Sequence, residues 1–319
     1  MMRPPVPGIN YPWARFDGRA NYGCDFGRNR WGSHTGVSAN TAAVKADFAA
    51  MASAGVEVAR WFVFTDGRGG LDWHAADGTL AGIEPSFFDD MDAAMDIAAA
   101  ASLRLCLVLL DFAWFDDPHR RLQLLDRSDS SAFVERVLDP LLERYHDSAV
   151  VHSYDLINEP DWVIAELATD PRRAGWPLER LRQFCALMSR RIRQRSRTPL
   201  TLGGARVVNL REWEHPSYDL DFLQVHTYPD VRYPDREAPL FGRRVEDLGV
   251  SKPVLIGEFP SDPRRHPEAH LSPAYSLDEY LRLARDGGYL GAWPWSFQGT
   301  DAFGRVDLTA MRDARSLLA

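Results

Sequence analysis

The chain has almost no lysine, few cysteines and no long apolar run. Lys45 and Lys252 are its only lysines, so arginine supplies nearly all the positive charge; this reads as a coding bias, not as chemistry. With 37 basic against 45 acidic residues the net charge is −8. No basic face stands out, which argues against nucleic acid as a partner. Cys24, Cys106 and Cys185 are too few for a disulfide framework. Cys106 falls in an apolar strand pattern and Cys185 in a helical one, where a thiol is a small buried hydrophobe. The most apolar region, Ala93 to Leu110, is interrupted by Asp96 and Arg104, so no membrane span is expected. The opening residues lack the apolar centre of an export signal. The default expectation is a cytoplasmic protein, or a secreted one if a leader has been removed. Gly67-Arg-Gly-Gly70 lacks the Lys-Ser/Thr ending of a phosphate loop, no Gly-x-Ser-x-Gly elbow occurs, and Pro267 interrupts the His266/His270 pair. No cofactor and no metal are expected.

Two stretches stand out. Val150-Val-His-Ser-Tyr-Asp-Leu-Ile-Asn-Glu159-Pro160 reads as a buried strand that stops at a carboxylate. By a period of two, Ser153, Asp155, Ile157 and Glu159 share a face, and Pro160 has no N–H with which to continue the pairing. Pro253-Val-Leu-Ile-Gly-Glu258-Phe-Pro260 repeats the plan about 100 residues on.

The 319 residues alternate strand with helix. Strands are expected at Ile9–Trp13, Val56–Phe64, Leu103–Leu110, the run ending at Glu159, Leu200–Gly203, Phe222–His226, the run ending at Glu258, and Gly291–Phe297. Helices are expected from Ser38 to Ala54, stopped by Gly55, and from a cap at Ser86. Others run from Ser130 to His146, kinked or divided in two at Pro140, after Pro177, and around Phe241–Leu248. The last two span Ser276 to Gly287, opened by a Ser276/Glu279 capping box, and Leu308 to Leu318. The strands are apolar without a polar face, as in a sheet covered by helices. Strand-to-helix loops are long and rich in Trp, Asp, His and Tyr; helix-to-strand loops are short. That asymmetry predicts a single α/β domain, a (β/α)8 TIM barrel over residues 1–319 with 1–5 as a loose tail and the chemistry on the C-terminal face. Three barrel units span about 95 residues, so Glu159 and Glu258 fit strands four and seven, nearly opposite one another.

Cleavage of a glycosidic bond needs one carboxylic acid to protonate the leaving oxygen and one carboxylate to attack or to activate water. Here the chain resembles the clan A glycoside hydrolases, and glycoside hydrolase family 5 in particular. Asn158-Glu159-Pro160 is similar to the clan's acid/base motif, and Glu258 in Gly-Glu-Phe to its strand-seven nucleophile. His226-Thr-Tyr228 and Trp295-Ser resemble its strand-six and strand-eight positions, and Arg60 the family 5 arginine of strand two. The resemblance implies a retaining enzyme acting on β-glycosidic bonds of an oligo- or polysaccharide, with short oligosaccharides favoured by the long aromatic loops. It implies Glu159 as general acid and then base, and Glu258 as nucleophile held by Arg60 and Tyr228. Asn158 would meet the sugar 2-hydroxyl, His226 would bond near Glu159 or Tyr228, and Trp295 would lie under the sugar ring. One position departs: Ala113 stands where family 5 usually has histidine, and Asp111 or Trp114 is expected to take over contacts there. The residue-level alternatives are a structural ion pair for Arg60, a core histidine at 226 and a core tryptophan at 295. The whole-chain alternatives are a transglycosylase with the same pair and a carbohydrate-binding barrel without catalysis.

Overall fold

The computed structural model describes residues 5–76, 78–116, 130–168, 175–228, 240–262, 275–299, 301 and 303–314. The His266–His270 stretch lies outside them. Eight strands form one sheet: β1 (Gly8–Asn10), β2 (Val58–Phe62), β3 (Arg104–Asp111), β4 (Val151–Asn158), β5 (Leu200–Gly204), β6 (Leu223–His226), β7 (Val254–Pro260) and β8 (Ala292–Trp295). Each is parallel to the next, in chain order. The sheet closes through Val6 N to Leu290 O (2.7 Å) and Phe297 N to Asn10 O (2.9 Å). The (β/α)8 barrel expected from the loop asymmetry is the architecture observed.

The alternation of β2 explains how the barrel fills. Ala59, Trp61 and the following Val63 face the helices and join the outer core. Val58, Arg60 and Phe62 point inward. At the base, Val58, Cys106, Phe222, Leu255 and Trp293 form an apolar plug. Above it sits a wholly buried polar layer of Asn10, Arg60, Asp155 and Gln224. Phe62, Val108 and Trp295 come next, toward the strand C-termini.

Several boundaries moved. β7 runs through Pro260, so Glu258 is two residues short of its end; Ser261 N supplies the next bond, to Trp295 O at 3.0 Å. Ser86 does not cap its helix, Phe87–Ala100: its backbone is helical and its hydroxyl is turned to Glu84. Pro140 is accommodated without a break, because a π turn over Val134–Leu138 precedes the segment Asp139–Tyr145 and widens the helix where proline has no N–H to give. The helix expected around Phe241–Leu248 is a single 3-10 turn, Val245–Leu248, ended by Gly249 at φ +68°. The Ser276/Glu279 capping box is present, but the stop is Gly288 at φ +78° rather than Gly287. Two hairpins were not foreseen, Arg15–Phe16 with Arg19–Ala20 and Leu71–Trp73 with Leu80–Ile83. Both lie in loops on the C-terminal side, after β1 and β2. Among the described residues no helix is long and apolar enough to cross a membrane.

Candidate active site

The end of β4 departs from a regular strand twice. Its register against β5 slips between Asp155 and Asn158. A period of two would set these residues on opposite faces, yet both touch the Arg60 guanidinium; the slip turns Asn158 inward. Glu159 then leaves the ladder in the left-handed region, at φ +49° and ψ 45°. For a side chain of this size such a conformation costs about 1–3 kcal/mol and needs support from its surroundings. Glu159 N donates to Gly203 O at 2.6 Å. The following turn is pinned by buried Asp161, which accepts from Ala205 N (2.9 Å) and Asn209 Nδ2 (3.1 Å). The result is a carboxyl lifted off the strand and aimed across the barrel mouth.

Glu258 meets it from β7. One oxygen of Glu159, one of Glu258 and one ring nitrogen of His226 all lie within 4.8 Å of each other. Arg60 organises the space beneath. Its Nε and Nη2 donate to Asp155 Oδ2 at 3.0 and 2.9 Å, Nη2 to Asn158 Oδ1 at 2.6 Å, and Nη1 to Asn10 Oδ1 at 3.0 Å and Glu258 Oε1 at 2.6 Å. Burial alone would lower the Arg60 pKa, but Asp155 and Glu258 raise it beyond its ordinary value. Asp155 is completed by Gln224 Nε2 (2.9 Å) and Gly203 N (3.0 Å). Tyr228 donates its hydroxyl to Glu258 Oε2 at 2.8 Å.

Burial pushes Glu159 and Glu258 up to about 7. Opposing it, His226 and Arg60 pull Glu258 down, and Trp162, donating Nε1 to Oε2 at 2.8 Å, pulls Glu159 down. His226 is wholly buried and its pKa falls to about 4 for that reason. It is therefore neutral near pH 7. Its Nδ1 lies 2.8 Å from Glu159 Oε1 and 3.4 Å from Glu258 Oε1, between the two carboxyls. Nε2 has no hydrogen-bond partner. It lies beside Gly203 and Gly257, where any Cβ would sit 3.0–3.1 Å from it.

Aromatic rings wall the space. Trp295 packs with Phe62 and Trp13, Tyr228 and Phe303 join the same cluster, and the Trp295 Nε1 donates to Asp301. Asp111, at the end of β3, accepts from Asn158 Nδ2 (2.8 Å) and Ala113 N (2.9 Å). Burial raises its carboxyl to about 7, and the Glu159 charge adds to the rise. Trp114 is not at the mouth. It is wholly buried against Gly67, Trp73 and Phe133, because the short helix Phe112–Asp116 turns it into the outer core. So the structure gathers Glu159, Glu258, Arg60, Asn158, His226, Tyr228, Trp295 and Asp111, and leaves Trp114 out. Sequence reasoning missed Asn10, Gln224 and Trp162. Trp162 follows Glu159 by three residues and was findable; Asn10 and Gln224 gave no local sign.

Glu159, His226 and Glu258 are also of a type and spacing that could hold a divalent cation. The donor set does not fit one. Arg60 already sets a fixed positive charge 2.6 Å from Glu258, and Tyr228 takes its other oxygen.

No family model matches the chain. The mannan endo-1,4-β-mannosidase of Cryptopygus antarcticus is 22% identical over 92% of this chain and 80% of its own length. The crystal structure of the β-1,4-D-mannanase from Cryptopygus antarcticus superposes with a TM-score of 0.80 at 18% identity, covering 99% of this chain and 90% of that one. The likeness shows a shared (β/α)8 fold. The β-mannanase of the blue mussel Mytilus edulis superposes with a TM-score of 0.78 at 19% identity, with coverage of 99% and 92%. The likeness in fold to solved mannanase structures thus extends over 99% of the chain.

Proposed function

We propose that the chain is a retaining β-glycoside hydrolase whose substrate is a β-linked, mannan-type polysaccharide. The observation that carries this reading is the approach of Glu159 and Glu258, with one oxygen of each inside 4.8 Å. Retaining glycosidases set their carboxyl groups about 5–5.5 Å apart, and inverting ones about 6.5–9.5 Å, to admit a water. Glu258 attacks the anomeric carbon while Glu159 gives its proton to the departing oxygen. Glu159 then takes a proton from water, which releases the sugar from Glu258 with the original anomeric configuration.

The surroundings support that division of labour. Arg60 and Tyr228 stabilise charge on Glu258, whereas Glu159 receives bonds from neutral donors alone, Trp162 and His226. Charge-assisted bonds are roughly twice as strong as neutral ones, so the single proton shared near neutral pH rests on Glu159. Asn158 spends its oxygen on Arg60 and one amide hydrogen on Asp111. Its second amide hydrogen is left for the sugar 2-hydroxyl. Trp295 offers a ring plane to the C–H face of the sugar. The polysaccharide preference rests on the names of the relatives and replaces the lean toward short oligosaccharides. NMR of the first product released from a β-mannan tests the reading: β-anomer appearing first supports it, and α-anomer appearing first refutes retention.

A further inference from the structure

The loop after β1 displays a side chain that the catalytic cluster does not use. Trp31 is 62% exposed, and the turn that carries it is fixed by hydrogen bonds. Asn29 N donates to Ser33 O and Gly32 N to Asn29 O, both at 2.9 Å, while Asn29 Oδ1 accepts from Trp31 N and Ser33 N at 3.1 Å. Gly32, at φ +83°, permits the tight turn. Arg30 N donates to Arg68 O at 2.7 Å, which ties the turn to the loop after β2.

A single exposed aromatic means little. Trp31, however, ends a continuous track. The Arg30 and Arg68 guanidiniums lie 4.7 and 5.9 Å from its ring. Arg68, fixed by two-pronged bonds to Asp66, also covers Tyr22 at 4.4 Å. Tyr22 packs on Trp13 at 4.3 Å, and Trp13 meets Trp295 at 6.0 Å. Rings in contact, with guanidiniums over the outer two, therefore run from Trp295 to the rim, where the exposed part of Trp31 is open to a ligand. A pyranose has matching chemistry: an apolar C–H face, and hydroxyls around its edge.

We propose that Trp31, flanked by Arg30 and Arg68, is a distal platform for a β-linked polysaccharide, gripping sugar units beyond those in the catalytic cleft. This rests on the glycosidase reading above and adds a requirement for chain length. Only a substrate long enough to reach the rim gains from the contact, and it gains equally in ground and transition states. The Trp31→Ala variant is expected to raise KM on soluble β-mannan on the order of tenfold with kcat held. It should leave kcat/KM on a short aryl β-mannoside unchanged, while Trp31→Tyr keeps most of the affinity. Mobility of the same proteins in native gels containing galactomannan reads the platform without turnover, and Trp31→Ala should lose the retardation that wild type shows. Equal losses on polymer and aryl glycoside, or none on the polymer, would overturn the platform. A wild-type protein inactive on every glycoside but retarded by the polysaccharide would instead sink the enzymatic reading and keep the platform.

Discussion

Arg60 Nη1 lies 2.6 Å from Glu258 Oε1, and no cation among the described residues approaches Glu159 as closely. In the proposed mechanism this asymmetry makes Glu159 the acid and Glu258 the nucleophile; both carboxyls are raised to about 7, with burial the largest cause. The two titrate as a coupled pair, so the catalytic form holds one proton between them. The kcat/KM profile should be bell-shaped, with an acid limb from protonation of Glu258 and an alkaline limb from loss of the Glu159 proton. In Glu159→Ala the alkaline limb should vanish for an aryl glycoside whose leaving group needs no protonation. Activity on mannan should fall by at least ~10²-fold. An unchanged alkaline limb would assign the acid elsewhere.

In the proposed mechanism Glu258→Ala removes the attacking group, and it leaves Arg60 facing a gap. Loss on all substrates should be on the order of 10³-fold or more. Added azide should restore turnover and give a glycosyl azide of inverted configuration. An unchanged rate on every glycoside would return the chain to the carbohydrate-binding barrels.

Asp111 fixes the Asn158 amide by accepting from its Nδ2 at 2.8 Å. Asp111→Asn sets one NH2 against another, so Asn158 should lose its orientation and kcat should fall on the order of tenfold or more with little change in KM. Stability gives an independent readout. Burial lifts the Asp111 pKa to about 7, above the roughly 3.9 of an unfolded aspartate. The native state therefore keeps a proton that the unfolded chain sheds from about pH 4. The stability this proton confers is full below that pH and lost as pH rises to about 7. The Tm of Asp111→Asn relative to wild type should accordingly rise between pH 4.5 and pH 7.5. A constant difference would show that Asp111 is ionised throughout.

The carboxylate pair was legible because it is marked locally: an apolar run, a glutamate, and a proline within two residues, twice. The barrel was legible because burial on both faces leaves strands without a polar side, and Val58 through Val63 still alternate between plug and outer core. What stayed hidden depends on residues far apart in the chain. Nothing near Asn10 signals that it will accept from Arg60, and the slip that brings Asn158 onto the Asp155 face arises from pairing with β5. Trp114 was misread because loop aromatics look alike until a helix turns one of them inward.

Gly257 has an ordinary backbone, so replacing it is a purely steric test. A Cβ there would lie 2.3 Å from Gln224 Oε1 and 3.1 Å from His226 Nε2. Gly257→Ala should displace Gln224 from Asp155 and push the His226 ring toward Glu159. The expected cost is about 1–3 kcal/mol in urea unfolding, typical of overpacking, with a shifted alkaline limb in the pH profile. Loss of stability without any shift would mean that His226 does not tune Glu159.

Arg60 is the strongest test of the polar layer. It donates to four side chains, Asn10, Asp155, Asn158 and Glu258, through a planar fork. Lysine keeps the charge but brings it as a single point on a thinner stem, with three donors and no fixed plane. In Arg60→Lys either Asp155 or Glu258 loses its partner while staying buried, and a broken buried pair costs about 3–5 kcal/mol. A fall of that size in unfolding free energy is expected, with a rise in the acid limb of the pH profile as Glu258 gains protons more easily. The two effects separate the roles of the residue. If stability falls and the acid limb stays put, Arg60 serves Asp155 and the fold alone, and the ionised state of Glu258 depends on Tyr228 and His226.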